Sequence, residues 1–96
     1  MFICEFASHR NPKLATFETL PTELKNKIVC YITNPDYEFC ACPSIAKDLL
    51  SGNELTGGIY GFTDGEFDWT NEIIYLFEHY DIKLYEKFIN KVKNAS

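Results

Sequence analysis

Four carboxylates stand within nine residues of one another: Asp64, Glu66, Asp68 and Glu72, in the run Thr63-Asp-Gly-Glu-Phe-Asp-Trp-Thr-Asn-Glu72. Paired carboxylates serve as general acid and base when burial drives their pKa values apart. Each of these also has a plainer explanation. Asp64 suits a turn, Glu66 and Asp68 fall on the polar side of a strand, and Glu72 complements the positive end of a helix. We therefore expect four solvated carboxylates and no catalytic residue, and we place them, with Tyr75, on a partner-binding surface. Cys40 and Cys42 form a C-x-C pair, with Cys4 and Cys30 distant in sequence and no spacing typical of a zinc site. The expectation is four reduced, mostly buried thiols, with no metal and no cofactor. His9 and His79 lack a nearby nucleophile or carboxylate and read as exposed. Gly57, Gly58 and Gly61 do not make a phosphate loop, which needs a helix directly after it. They read as a bulge or a place of close backbone approach.

The carboxylates need elements to position them. Asp64-Gly65 suits a two-residue type I′ hairpin turn, which sets Thr63 opposite Glu66, Phe62 opposite Phe67, Gly61 opposite Asp68 and Tyr60 opposite Trp69. On that register Tyr60, Phe62, Phe67 and Trp69 share one face, with Gly61, Thr63, Glu66 and Asp68 on the other. A lone hairpin is marginal in water, so the aromatic face requires a cover. Thr70 is the candidate cap of a helix with Ile73, Leu76, Phe77 and Tyr80 on one stripe, continued by Leu84. Pro21 opens another with Leu24, Ile28, Tyr31 and Ile32, ending before Asn34-Pro35. Tyr37 to Ala41 reads as a third strand, Pro43 to Gly52 as a short helix bearing Ile45, Leu49 and Leu50, and Phe88, Ile89 and Val92 mark a closing helix to about Lys93. Phe2, Cys4 and Phe6 alternate as in a short strand before a loop from Ser8 to Lys13. The fold class is α+β: one domain over 1–96, with a small antiparallel sheet including 59–63 and 66–69, packed by three to four helices, among them 21–33 and 70–80.

Composition bounds the function. The 96 residues are 46% hydrophobic and 16% aromatic, which suits a globular domain. Fourteen acidic against nine basic residues give a net charge of -5, the wrong sign for binding phosphate backbones, so no nucleic-acid partner is expected. No apolar run is long enough for a membrane span, and the start lacks the pattern of a secretory signal, so the expected location is cytoplasmic with no membrane partner.

The run KIVCYI at 27–32, Asp48, FTDGEFDW at 62–69, Tyr75, and IKLYEKFI at 82–89 resembles a family of small uncharacterised bacterial proteins. That family carries a Thr-Asp-Gly turn followed by an aromatic residue and Trp, then a helix with paired tyrosines. This chain has Leu76 where a second Tyr is common and Tyr85 where the family has Pro. The resemblance implies the fold pattern and a bacterial origin. Three classes of function follow. The first is a non-enzymatic protein-binding module with an acidic face, in its concrete form an immunity protein that neutralises a basic, nuclease-type toxin. The second is a regulatory or structural interaction protein anchored by aromatics such as Tyr37 or Tyr75. The last is a small enzyme or metal protein built on Cys40, Cys42, His79 and the carboxylates.

Overall fold

The computed structural model describes residues 1–4, 13 and 15–95. The fold is α+β. Helix α1 (Thr22–Ile32) leads through a single 3-10 turn, Pro35–Tyr37, into strand β1 (Glu38–Lys47). Strands β2 (Glu54–Thr63) and β3 (Asp68–Thr70) follow, then helices α2 (Asn71–Tyr80) and α3 (Glu86–Asn94). The strands form one antiparallel sheet in the order β1-β2-β3. Phe2 adds a single parallel bridge to Asp68, and Phe6 and the expected loop from Ser8, His9 included, lie outside the described residues up to Lys13.

The expected third strand forms, but it runs on through the segment expected to be helical. Pro43 has no amide to donate, and a strand tolerates that only at an edge or in a bulge. β1 is an edge strand, and its register slips between Cys42 and Ile45. Ala46 points inward and is fully buried, whereas Ile45, expected on the helix stripe, is 53% exposed. The chain then turns around Asp48, whose Oδ1 accepts the amides of Leu50 (3.0 Å) and Ser51 (3.1 Å). A side chain that satisfies the next amides locally competes with helix formation.

The hairpin register differs from expectation by two residues. Phe62 faces Trp69 and Thr63 faces Asp68, leaving a four-residue connection over 64–67. A type I′ turn requires positive φ at both central residues, and only Gly65 (φ 99°) adopts it. The Asp64 side chain instead closes the loop by accepting two amides. Because the shift is even, Phe62 and Trp69 keep their expected common face, but Tyr60, expected on the same covered face, is 39% exposed. Phe62 and Trp69 share the inner face, their rings parallel with centroids 6.3 Å apart. Phe67 leaves the strand for the loop, where it is buried edge-on against Phe88.

The helices cover that inner face. Ile28 and Ile32 of α1, Ile73, Leu76 and Phe77 of α2, and Phe88, Ile89 and Val92 of α3 form one core with Trp69 and Phe67. Asn71 extends the role of β3 by side-chain means. Its Oδ1 accepts the Tyr60 amide (2.9 Å) and its Nδ2 donates to the Gly58 carbonyl (2.9 Å). No helix among the described residues is long and apolar enough to cross a membrane.

Two glycines of β2 sit under β1. A Cβ at Gly58 would fall 2.7 Å from the Cys42 carbonyl oxygen, and one at Gly61 would fall 2.6 Å from Cys40 Sγ. Backbone cannot step aside as an exposed thiol can. Gly58→Ala is therefore expected to cost about 1–3 kcal/mol in urea unfolding and Gly61→Ala under about 1 kcal/mol, following the usual range for overpacking. The reverse order would mean that β1 does not lie on β2 in this register.

Candidate functional site

The 64–67 loop is built from its own polar atoms. Asp64 Oδ1 accepts the amides of Glu66 (2.9 Å) and Phe67 (2.7 Å), and Thr63 Oγ1 donates to the Phe67 carbonyl (2.9 Å). Asp64 Oδ2 receives the Tyr31 hydroxyl (2.6 Å) and lies 3.0 Å from Lys91 Nζ. The Asp64 side chain is only 2% exposed. Burial pushes its carboxyl upward, but the Phe67 amide, the Tyr31 hydroxyl, the Glu66 amide and Lys91 together outweigh it and hold the pKa at about 2. Burial, followed by the bond to Asp64, drives the Tyr31 hydroxyl the other way, far above its ordinary range. The turn residue of the sequence is thus an ionised anchor between α1, α3 and the sheet.

The other carboxylates separate. Glu66 is half-exposed and meets Lys91 (3.1 Å) and, more loosely, Lys87 (3.7 Å). Asp68 is also half-exposed, and the Met1 amino group lies 3.2 Å away. Glu72 is not solvated as expected: it is 1% exposed, and its Oε2 accepts the Lys47 amide at 2.8 Å. Its helical position does complement the positive end of α2, yet the side chain turns onto β1, locking helix to sheet. Tyr75 is half-buried, with its ring 4.2 Å from that of His79. Tyr37 is no free anchor either, since its ring packs 5.1 Å from Tyr31 and 5.9 Å from Trp69. Of the sequence-chosen set, then, only Glu66 and Asp68 lie together on the surface.

Strand register supplies what they lacked. Glu38 pairs with Phe62, and Thr63 with Asp68, so Glu38, Asp68 and the loop bearing Glu66 stand at one end of the sheet, with Asp36 just before β1. Exposed aromatics flank them. Phe39, next to Glu38, is 60% exposed with its ring edge over Gly61, and Phe2, bridged to Asp68, is 42% exposed. The sequence held a weak signal for Phe39 in the strand assigned to Tyr37–Ala41. Nothing in it placed Phe2 beside Asp68.

Asp48 was legible only as one residue of the resemblance, and the structure makes it a second buried anchor, 2% exposed, receiving the Tyr80 hydroxyl at 2.6 Å. Burial raises its carboxyl, but Tyr80 and the amides of Ser51 and Leu50 lower it more. Groups held ionised in this way suit anchoring; a general acid at neutral pH needs the opposite shift. The thiols also depart from expectation. Only Cys4 is buried, while Cys30, Cys40 and Cys42 are exposed and all are reduced. Cys42 Sγ lies 3.3 Å from Ser44 Oγ, a bond that lowers the thiol pKa. Among the described residues no three His, Cys, Asp or Glu side chains are grouped to hold a metal ion, so His79 does not join Cys40 and Cys42. A cleft of about 390 Å³ between α1 and α3 has a floor of Leu20, Leu24, Leu84 and Ile89. Its rim carries two lysines and two glutamates, which leaves it no net sign to select a charged ligand.

Comparison of the chain with family models, with curated proteins and with solved structures gives no match.

Proposed function

We propose that this is a non-enzymatic protein-binding module that docks a basic protein partner through the end of its sheet, and in concrete form a bacterial immunity protein for a basic, nuclease-type toxin. One observation carries the reading: two exposed aromatics, Phe39 on the β1 edge and Phe2 beside β3, flank the carboxylates of Glu38, Glu66 and Asp68 at one end of the strands, with Asp36 just before β1. Exposed aromatics serve as anchors at specific interfaces, and charged groups beside them steer the partner in. The net charge of -5 has the sign that speeds encounter with a basic surface. Asp64 and Glu72 act on the scaffold and set the geometry of this surface without touching the partner.

The test is binding kinetics against the protein captured by the tagged chain from its native host, at two salt concentrations. Glu38→Lys with Asp68→Lys is expected to slow association about tenfold or more at low salt and much less at high salt, since rim charges act on the on-rate. Phe39→Ala is expected to raise the dissociation rate at both. Both variants should keep the thermal midpoint within a few degrees, because neither alters the core. Unchanged kinetics for the folded double reversal, or a captured partner that is itself acidic, would overturn the reading.

A further inference from the structure

We propose that Cys40 and Cys42 form a two-coordinate thiolate site for a soft monovalent metal ion, Cu(I) above others. This site shares no residue with the surface proposed for docking. Cys40 pairs with Gly61, Ala41 with Tyr60 and Cys42 with Ile59, an unbroken stretch between two irregularities of β1. The two thiols therefore project from the same face of an edge strand, and both are exposed.

Spacing decides what can join them. Residues two apart on a strand lie about 6.6 Å apart along the backbone, near the upper limit of roughly 6.8 Å for a disulfide. A disulfide bond of about 2.05 Å closes that gap only under strain. A thiolate–metal–thiolate bridge spans about 4.6 Å, twice a metal–sulfur distance of roughly 2.3 Å, and rotation of each thiol about χ1 closes the rest. Neither sulfur is locked in place. Cys40 Sγ rests in the space that Gly61 leaves, and Cys42 Sγ rests against the Ser44 hydroxyl.

Ligand number then selects the ion. Zinc takes four ligands in a closed site, and no third metal-ligating side chain joins this pair among the described residues. Calcium and magnesium require oxygen ligands. Soft thiolates favour Cu(I), which two sulfurs satisfy. Binding is a simple exchange: one Cu(I) replaces two thiol protons, giving a bis-thiolate with charge -1 and no change of oxidation state.

The experiment is an anaerobic titration of the reduced, metal-free full chain with Cu(I) in competition with bicinchoninate. The expected result is one Cu(I) per chain with two sulfur neighbours by X-ray absorption. Cys40→Ser and Cys42→Ser should each weaken binding at least 100-fold, with thermal midpoints unchanged, and Cys30→Ser should leave it intact. Failure of the wild-type chain to hold copper against the competitor would overturn the proposal. So would equal loss in Cys30→Ser, one copper per two chains, or Zn(II) binding of comparable strength.

Discussion

Trp69→Ala is expected to cost about 3–5 kcal/mol in urea unfolding, the range for a large aromatic removed from a core. Trp69 is 1% exposed at the joint between β3 and α2. Its ring meets those of Tyr31, Phe62, Tyr37 and Phe88 with centroids 5.7–6.3 Å apart, so it touches α1, β2 and α3 at once. The indole Nε1 also donates to the Ile32 carbonyl (2.8 Å), one of the acceptors that the end of α1 leaves open. Trp69→Phe separates the two contributions. It keeps most of the packing while losing that bond, and should fall between wild type and alanine by about 1–3 kcal/mol, the penalty for an unsatisfied buried acceptor plus a small cavity. A loss below 1 kcal/mol for Trp69→Ala would mean that this aromatic cluster does not hold the helices to the sheet.

The helices and the inner sheet face were readable because they rest on periodicity, and periodicity is local. Ile28 and Ile32, Ile73 and Phe77, and Phe88 and Val92 each sit four apart, and all six are buried. Phe62 and Trp69 kept a common face despite the error in register because the error was even, while Tyr60 stayed 39% exposed. What failed depended on where side-chain oxygens find donors. Asp64 and Asp48 each satisfy amides two and three residues ahead, which turned a two-residue hairpin into a four-residue loop and an expected helix into a strand and turn. The burial of Glu72 follows from a β1 longer than expected, since its acceptor role depends on the Lys47 amide. The surface proposed for docking was half legible. Glu66 and Asp68 are close in sequence, but Phe2, Asp36, Glu38 and Phe39 join them only through pairing across the sheet.

Asp64 should set the acid limit of this fold. Its carboxyl titrates at about 2 in the native protein against an ordinary value of 3.8, so the folded state binds this proton less readily than the unfolded chain. The stabilisation is fully present above the unfolded pKa and disappears as pH falls through the folded one, that is, between about pH 4 and pH 2. A carboxyl held that far below its ordinary value contributes about 2 kcal/mol. Asp48, also lowered, adds a loss in the same direction. Asp64→Asn keeps an oxygen for the Glu66 and Phe67 amides, but its amide group is aimed at Tyr31 and Lys91, both donors. It is expected to lose about 2 kcal/mol at pH 7 and to show a flatter acid limb than wild type, because the titrating group is gone. Tyr31→Phe leaves the carboxylate in place and removes one bond to it, so the midpoint of the acid limb should move upward while the limb persists. Urea unfolding at intervals from pH 7 to pH 2 reads all three chains. An Asp64→Asn variant that matched wild type at pH 7 and kept its full acid limb would show that the loop carboxylate is no anchor, and that the bonds from Tyr31 and Lys91 do not hold α1 and α3 to the sheet.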